Sequence, residues 1–334
     1  MTATQTLPRL DAAAAPLLGV QNLTVTFRRD GRAIPVVRDL SFSLDAGKVL
    51  CIIGESGSGK SVTLRAVMGL LGKSARLDGG VNLAGHDMLA LPERKLSELR
   101  GAQVAMIFQE PMTAFDPVYT IGQQIGETLR RHEGLDARVA RTRTKELLDL
   151  VQIPRAEARL DAYPHELSGG LRQRAMIALA LSCRPALLLA DEPTTALDAT
   201  VQIQILLLLR SLQRELGMAM IFVTHDLSVA AEIADDVAVM YAGRFVETGP
   251  VTDLLRRPRH PYTVGLMASS VGDKPPGAHL AAIPGQPPDP ASISPGCSFA
   301  PRCGQASEAC LGGLPPTFWI TSEHAARCIR AVPP

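Results

Sequence analysis

Val49-Leu50-Cys51-Ile52-Ile53-Gly54-Glu55-Ser56-Gly57-Ser58-Gly59-Lys60-Ser61 decides the fold of this 334-residue chain. Five consecutive apolar residues read as a strand buried on both faces. Gly54 to Ser61 then fit G-x-x-x-x-G-K-[ST] between that strand and a helix running from Lys60 to about Gly69. The glycines let backbone N–H groups wrap a phosphate at the helix N-terminus, where the dipole favours an anion. Lys60 reaches β- and γ-phosphate oxygens, and the Ser61 hydroxyl suits Mg²⁺. The stretch therefore predicts a nucleotide site built from Gly54, Glu55, Ser56, Gly57, Ser58, Gly59, Lys60 and Ser61.

Outward from this stretch, Ala186-Leu187-Leu188-Leu189-Ala190 and Ala219-Met220-Ile221-Phe222-Val223 read as further buried strands. Helical stretches separate them, which predicts a parallel sheet with crossover helices, an α/β fold. Towards the N-terminus, Gln21–Phe27 and Leu40–Leu44 alternate, with turns at Asp30-Gly31 and Asp45-Ala46-Gly47, and predict an antiparallel ribbon. The strand Leu187–Ala190 ends in Asp191 and Glu192. Asp191 at the strand tip suits a hold on Mg²⁺, and Glu192 can orient or deprotonate an attacking water. Leu167-Ser168-Gly169-Gly170-Leu171-Arg172-Gln173-Arg174 opens another helix, so Ser168, Gly169 and Gly170 predict a second anion site, one that can serve a nucleotide on a different subunit.

Apolar residues make up 46% of the chain and charged residues 20%, an ordinary balance for a protein with a core, which excludes wholesale disorder. Lys and Arg total 34 against 33 acids, so there is no global basic field to gather nucleic acid or anionic lipid. The greasiest run, Ile205–Leu209, stops at Arg210, far short of a membrane span. Residues 1–16 read as a flexible extension without a convincing export signal. Of the 25 prolines, 15 fall from Pro250 onward. The main body is therefore expected over 17–272, with a small, loop-rich Pro/Cys-rich extension over 273–334.

Cys51 and Cys183 sit in apolar runs and read as buried thiols. The other four, Cys297-x5-Cys303-x6-Cys310-x17-Cys328, fit a structural metal site in a region with little core. Zn²⁺ and an iron–sulfur cluster both accept four cysteines.

Together these motifs resemble the ATP-binding cassette ATPases, the engines of ABC transporters, over roughly residues 17–272. Matching positions are the Walker A loop above, the Walker B strand ending at Asp191, and the signature Leu167-Ser168-Gly169-Gly170. They also include Gln109 of the Q-loop, Asp198 of the D-loop (Ala196-Leu197-Asp198), His225 of the switch and Phe27, where the family stacks an aromatic on adenine. Leu171 stands where the commonest signature has Gln. The resemblance implies a P-loop NTPase fold of ABC type, with an antiparallel β subdomain and a helical subdomain. It implies two cassettes paired head to tail, each ATP held by Walker A of one and the signature of the other. Glu192 would be the base, His225 would contact the γ-phosphate, Mg²⁺ would lie among Ser61, Gln109 and Asp191, and Gln109 would link to membrane subunits.

The extension resembles the C-terminal region of oligopeptide/dipeptide importer ATPases, through His260-Pro261-Tyr262-Thr263, Ile283-Pro284-Gly285 and Gly296-Cys297-Ser298-Phe299-Ala300-Pro301-Arg302-Cys303. In that branch the resemblance implies that Cys297, Cys303, Cys310 and Cys328 hold a [4Fe–4S] cluster, with Zn²⁺ the alternative. The expected function is ATP hydrolysis for bacterial peptide import, peripheral to the cytoplasmic face of the inner membrane. The expected partners are a second, paralogous ATPase (otherwise a second copy), two membrane permeases and an extracytoplasmic peptide-binding protein, without nucleic acid. Import of nickel, glutathione or a sugar is the alternative within the branch, and a soluble ATPase acting on nucleic acid the alternative outside it.

Overall fold

In a computed structural model, which describes residues 15–72, 74–195, 197–269 and 282–331, the chain opens with β1 (Leu18–Arg29) and β2 (Arg32–Leu44). Asp30 and Gly31 between them both have positive φ, 50° and 74°, the twist a two-residue hairpin loop needs. Next come β3 (Val49–Ile53), α1 (Lys60–Val67), β4 (Ala75–Leu83), β5 (His86–Asp87), α2 (Glu93–Leu99) and β6 (Val104–Ile107). A helical stretch follows: α3 (Ile121–Glu133), α4 (Ala137–Leu150), α5 (Ala156–Arg159) and α6 (Gly169–Leu181). The chain then returns through β7 (Leu187–Asp191), α7 (Ala199–Leu216), β8 (Ala219–Thr224), α8 (Leu227–Ile233), β9 (Asp236–Tyr241) and β10 (Arg244–Pro250). It finishes with α9 (Val251–Arg256), α10 (Pro261–Ser269), β11 (Phe318–Trp319) and β12 (Ala325–Ala326).

The strands form two sheets, an antiparallel one in the order β2-β1-β4-β5 and a mixed one in the order β11-β12-β10-β9-β3-β8-β7-β6. Within the second, β9, β3, β8, β7 and β6 run parallel. Alternation explains why their sequences are apolar throughout. Val49, Cys51 and Ile53 face a core shared with α3, α4, α6, α7 and α8, whereas Leu50 and Ile52 face a core shared with α1 and the antiparallel sheet. A strand covered on both faces has no position left for a polar residue. Each fully buried Val or Ile here contributes about 1.5–3 kcal/mol over its exposed state.

The expected α/β architecture with an antiparallel ribbon is present, and α1 starts at Lys60. The C-terminal segment differs from a loose tail. Its β12 pairs antiparallel with β10, Glu247 opposite Ala326 and Thr248 opposite Ala325, and extends the main sheet. Glu247 anchors the join: fully buried, it accepts hydrogen bonds from the N–H groups of Arg259 (2.7 Å) and His260 (2.8 Å) and lies 2.8 Å from Nε2 of His324. Residues 1–14 of the expected extension, Ala196 of the D-loop and the 272/273 boundary lie outside the described residues. Among the described residues, no helix is long and apolar enough to cross a membrane.

Candidate active site

Parallel strands end at one edge of the sheet, and the strand register lines up Ile53 with Thr224, Val223 with Asp191, and Ala190 with Ile107. The loop after β3, the two acids after β7 and His225 after β8 therefore emerge side by side, the usual place for a ligand in an open α/β sheet.

Gly54 turns the chain where no side chain fits, since a Cβ there would lie 2.2 Å from the Met240 carbonyl oxygen. Gly59, with φ 106°, caps α1 in a conformation that favours glycine. Lys60 is folded over the loop, donating to the carbonyls of Gly54 (2.7 Å) and Glu55 (3.0 Å). Its Nζ lies 3.8 Å from Oε1 of Glu192. Burial pushes the Lys60 ammonium down in pKa, while Glu192, Asp191 and Glu55 pull it back up. The Ser58 hydroxyl, in the same loop, is buried with no hydrogen-bond partner.

Ser61 Oγ donates to Oδ1 of Asp191 at 2.7 Å, across from β3 to β7. Asp191 is 3% exposed, and burial raises its carboxyl pKa despite the hydrogen bond from Ser61. A hydroxyl beside a buried carboxylate is a fitting donor set for a hard, oxygen-seeking cation such as Mg²⁺. Gln109 lies exposed just past β6 and forms no hydrogen bond with either, so Ser61 and Asp191 meet without it.

Glu192 stands between Lys60 and His225. Its Oε2 accepts from Thr195 Oγ1 at 2.9 Å and lies 3.4 Å from Nδ1 of His225, whose side chain is 62% exposed. Thr195 escaped the sequence reading, because a threonine in the turn Pro193-Thr194-Thr195 looks like ordinary loop chemistry. A carboxylate fixed beside an ammonium and an open histidine can accept a proton from water at the mouth of the loop.

The remaining residues stand apart. Ser168 caps α6, its Oγ accepting from Leu171 N–H at 3.4 Å, and is exposed with Gly169 at the start of that helix. Gly170 packs closely on α7, where a Cβ would lie 3.0 Å from Val201. Asp198 caps α7, accepting from Val201 N–H at 3.0 Å. Phe27 is half-buried near the end of β1, packed on the antiparallel-sheet core. None of these forms a hydrogen bond or ion pair with the phosphate loop.

The thiols of Cys297, Cys303, Cys310 and Cys328 are unpaired by disulfide and line one small cavity with Phe299 and Ala300. Burial raises the pKa of Cys297 and Cys328. Among the described residues, no three metal-ligating side chains stand close enough to hold a single ion.

The chain is similar to known proteins along most of its length. The family described as "ABC transporter" matches residues 37–195, and "Oligopeptide/dipeptide transporter, C-terminal region" matches 246–310. The chain is 46% identical over 332 residues to the oligopeptide transport ATP-binding protein OppD of Salmonella typhimurium, covering 99% of each. It is 50% identical over 328 residues to a Brucella ovis protein named for peptide import and ATP binding, covering 94% of this chain and 97% of that one. Among solved structures, the dimeric ATP-binding cassette MJ0796 bound to ADP and Pi is similar with a TM-score of 0.64 and 26% identity, over 70% of this chain and 98% of that one.

Proposed function

The chain belongs to the ABC transporter family, and from that membership we propose that it is the ATP-hydrolysing subunit of a bacterial importer of dipeptides and oligopeptides. The observation that carries this reading is a likeness to peptide-import relatives that runs nearly the whole length, through the C-terminal region; the meeting of Lys60, Ser61, Asp191 and Glu192 at one sheet edge supports it.

In this reading the phosphate loop and Lys60 hold the β- and γ-phosphates, and Ser61 and Asp191 would hold Mg²⁺, which would offset phosphate charge. Glu192 takes a proton from water, whose oxygen attacks the γ-phosphorus. The bond from that phosphorus to the β–γ bridging oxygen breaks, giving ADP and phosphate. His225, beside Glu192, would contact the γ-phosphate. Ser168, Gly169 and Gly170 serve the ATP of a second ATPase subunit, a paralogue or another copy of this chain, with Asp198 at the same seam and Phe27 against adenine. The closed pair is favoured while ATP is present and loses that preference on hydrolysis. Gln109 relays this to two permease subunits, which are fed by an extracytoplasmic peptide-binding protein. The chain sits peripherally on the cytoplasmic face of the membrane.

Cys297, Cys303, Cys310 and Cys328 would hold a [4Fe–4S] cluster. What supports this is the donor set alone: four cysteines lining one cavity, in a region where a cluster would take one thiolate per iron. Bound there, it would cross-link a segment with few apolar contacts.

The test is ATP-driven uptake of a labelled peptide into vesicles carrying the assembled transporter. Uptake that requires this chain and ATP supports the reading. ATP turnover stimulated by another solute, with peptides inert, overturns the cargo assignment.

A further inference from the structure

Glu55 puts an acidic side chain into a loop read as a polyanion site. The structure answers that charge from the far end of the chain. Arg302 directs Nη1 to Oε2 of Glu55 at 2.6 Å and Nη2 to Oε1 at 3.0 Å, a two-pronged pair between residues 247 positions apart. Such a fork fixes direction as well as charge.

Arg302 is itself held. Its Nε donates to the Pro284 carbonyl at 2.8 Å, Nη1 lies 3.3 Å from the Tyr241 hydroxyl, and the guanidinium carbon stands 5.8 Å from the Tyr241 ring centroid and 5.9 Å from that of Phe299. The side chain is 5% exposed. Glu55 is gripped a second time through its main chain, whose N–H donates to the Tyr262 hydroxyl at 2.8 Å. Its carbonyl accepts from Lys60 Nζ. Moving Glu55 therefore moves an acceptor of the loop's own lysine.

We propose that Arg302 is a positioning residue for the phosphate loop: it neutralises Glu55 and fixes that residue so that the loop and Lys60 are poised for the ATP polyphosphate. The inference rests on the proposed ATPase function and assigns the C-terminal segment a part in nucleotide affinity. Arg302 contacts no reacting atom, so its effect falls on binding and not on the chemical step.

The experiment measures MgATP binding by calorimetry on the full-length chain, with steady-state hydrolysis by the assembled transporter alongside. Arg302→Met keeps the stem packed on Tyr241 and Phe299 and removes the charge. It is expected to raise Kd and KM about tenfold, on the order of 1.4 kcal/mol, with kcat within about twofold. Arg302→Lys falls between. In a Glu55→Gln background the same Arg302→Met change shifts Kd less than about threefold, because the charge to be answered is gone. Unchanged Kd in Arg302→Met overturns the proposal, as does an equal loss in both backgrounds, which a merely structural role would give. Should Arg302→Met fail to fold, Arg302→Lys carries the test against the same two outcomes. A wild-type chain that binds no MgATP defeats the ATPase reading instead, so the two failures are distinguishable.

Discussion

Glu192 carries the backbone in a left-handed conformation, φ 45°, that costs a residue with a Cβ on the order of 1–3 kcal/mol. The neighbours that enforce it are specific: its N–H donates to the Val223 carbonyl at 3.1 Å, and Thr195 holds the carboxylate. The turn aims one carboxylate between Lys60 and His225, while the preceding Asp191 stays buried against Ser61. Adjacent acids thus acquire different surroundings and can divide the labour of proton acceptance and cation binding. Glu192→Gln keeps the size and an oxygen to accept from Thr195 but loses the carboxylate proposed as the base. The expected outcome is MgATP binding near the wild-type level, turnover reduced by about 10²-fold or more, and an ATP-bound dimer that accumulates on size-exclusion chromatography. Normal turnover in that variant would remove Glu192 from its role.

Among elements, the apolar core strands and the first ribbon were legible, whereas β4, α3 and α4 went unread and the shortest strands could not be seen. β3, β7 and β8 are continuous apolar runs because both sheet faces are covered, and β1 and β2 announce themselves by alternation around Asp30-Gly31. β11 and β12 have two residues each, too few to show any period, and they owe their existence to an edge supplied by β10. Glu247 drew no notice in the sequence, yet it is fully buried, because its partners arrive from residues 259, 260 and 324. The same blindness hid Arg302, whose partner lies 247 residues away. A comparable long-range tie joins α7 to the start of β3: Asp235 accepts from Val49 N–H at 2.8 Å and from Arg210 Nη2 at 3.0 Å. Burial tends to raise the Asp235 carboxyl pKa, but the Arg210 and Val49 hydrogen bonds prevail and hold it below the ordinary aspartate range. A lowered folded pKa means a stabilisation fully present above the unfolded pKa of about 3.9 and lost as pH falls through the folded value. Asp235→Asn should therefore cost about 1–3 kcal/mol in denaturant unfolding at pH 7. The gap to wild type should close in strong acid, and a gap constant with pH would show that charge plays no part.

At the scale of the whole molecule, the last 50 described residues belong to the cassette and are not merely appended to it. They widen the main sheet, carry the four thiols and reach the phosphate loop, and the turn that ends in Arg302 lies directly between Cys297 and Cys303. Anaerobically purified protein is expected to show broad absorption near about 400 nm with stoichiometric iron, and chelation of that iron should lower the melting temperature. Colourless protein carrying zinc would replace the cluster with a single ion.

The pairing of Glu247 with Ala326 also dictates an order of events during synthesis. When β10 has left the ribosome, its outer edge waits for nearly eighty more residues before its neighbour exists. Through that interval the nascent chain carries an open row of amide and carbonyl groups, the kind of template on which stray strands add. A chain terminated before Ala325 would keep that edge of β10 without this neighbour for good.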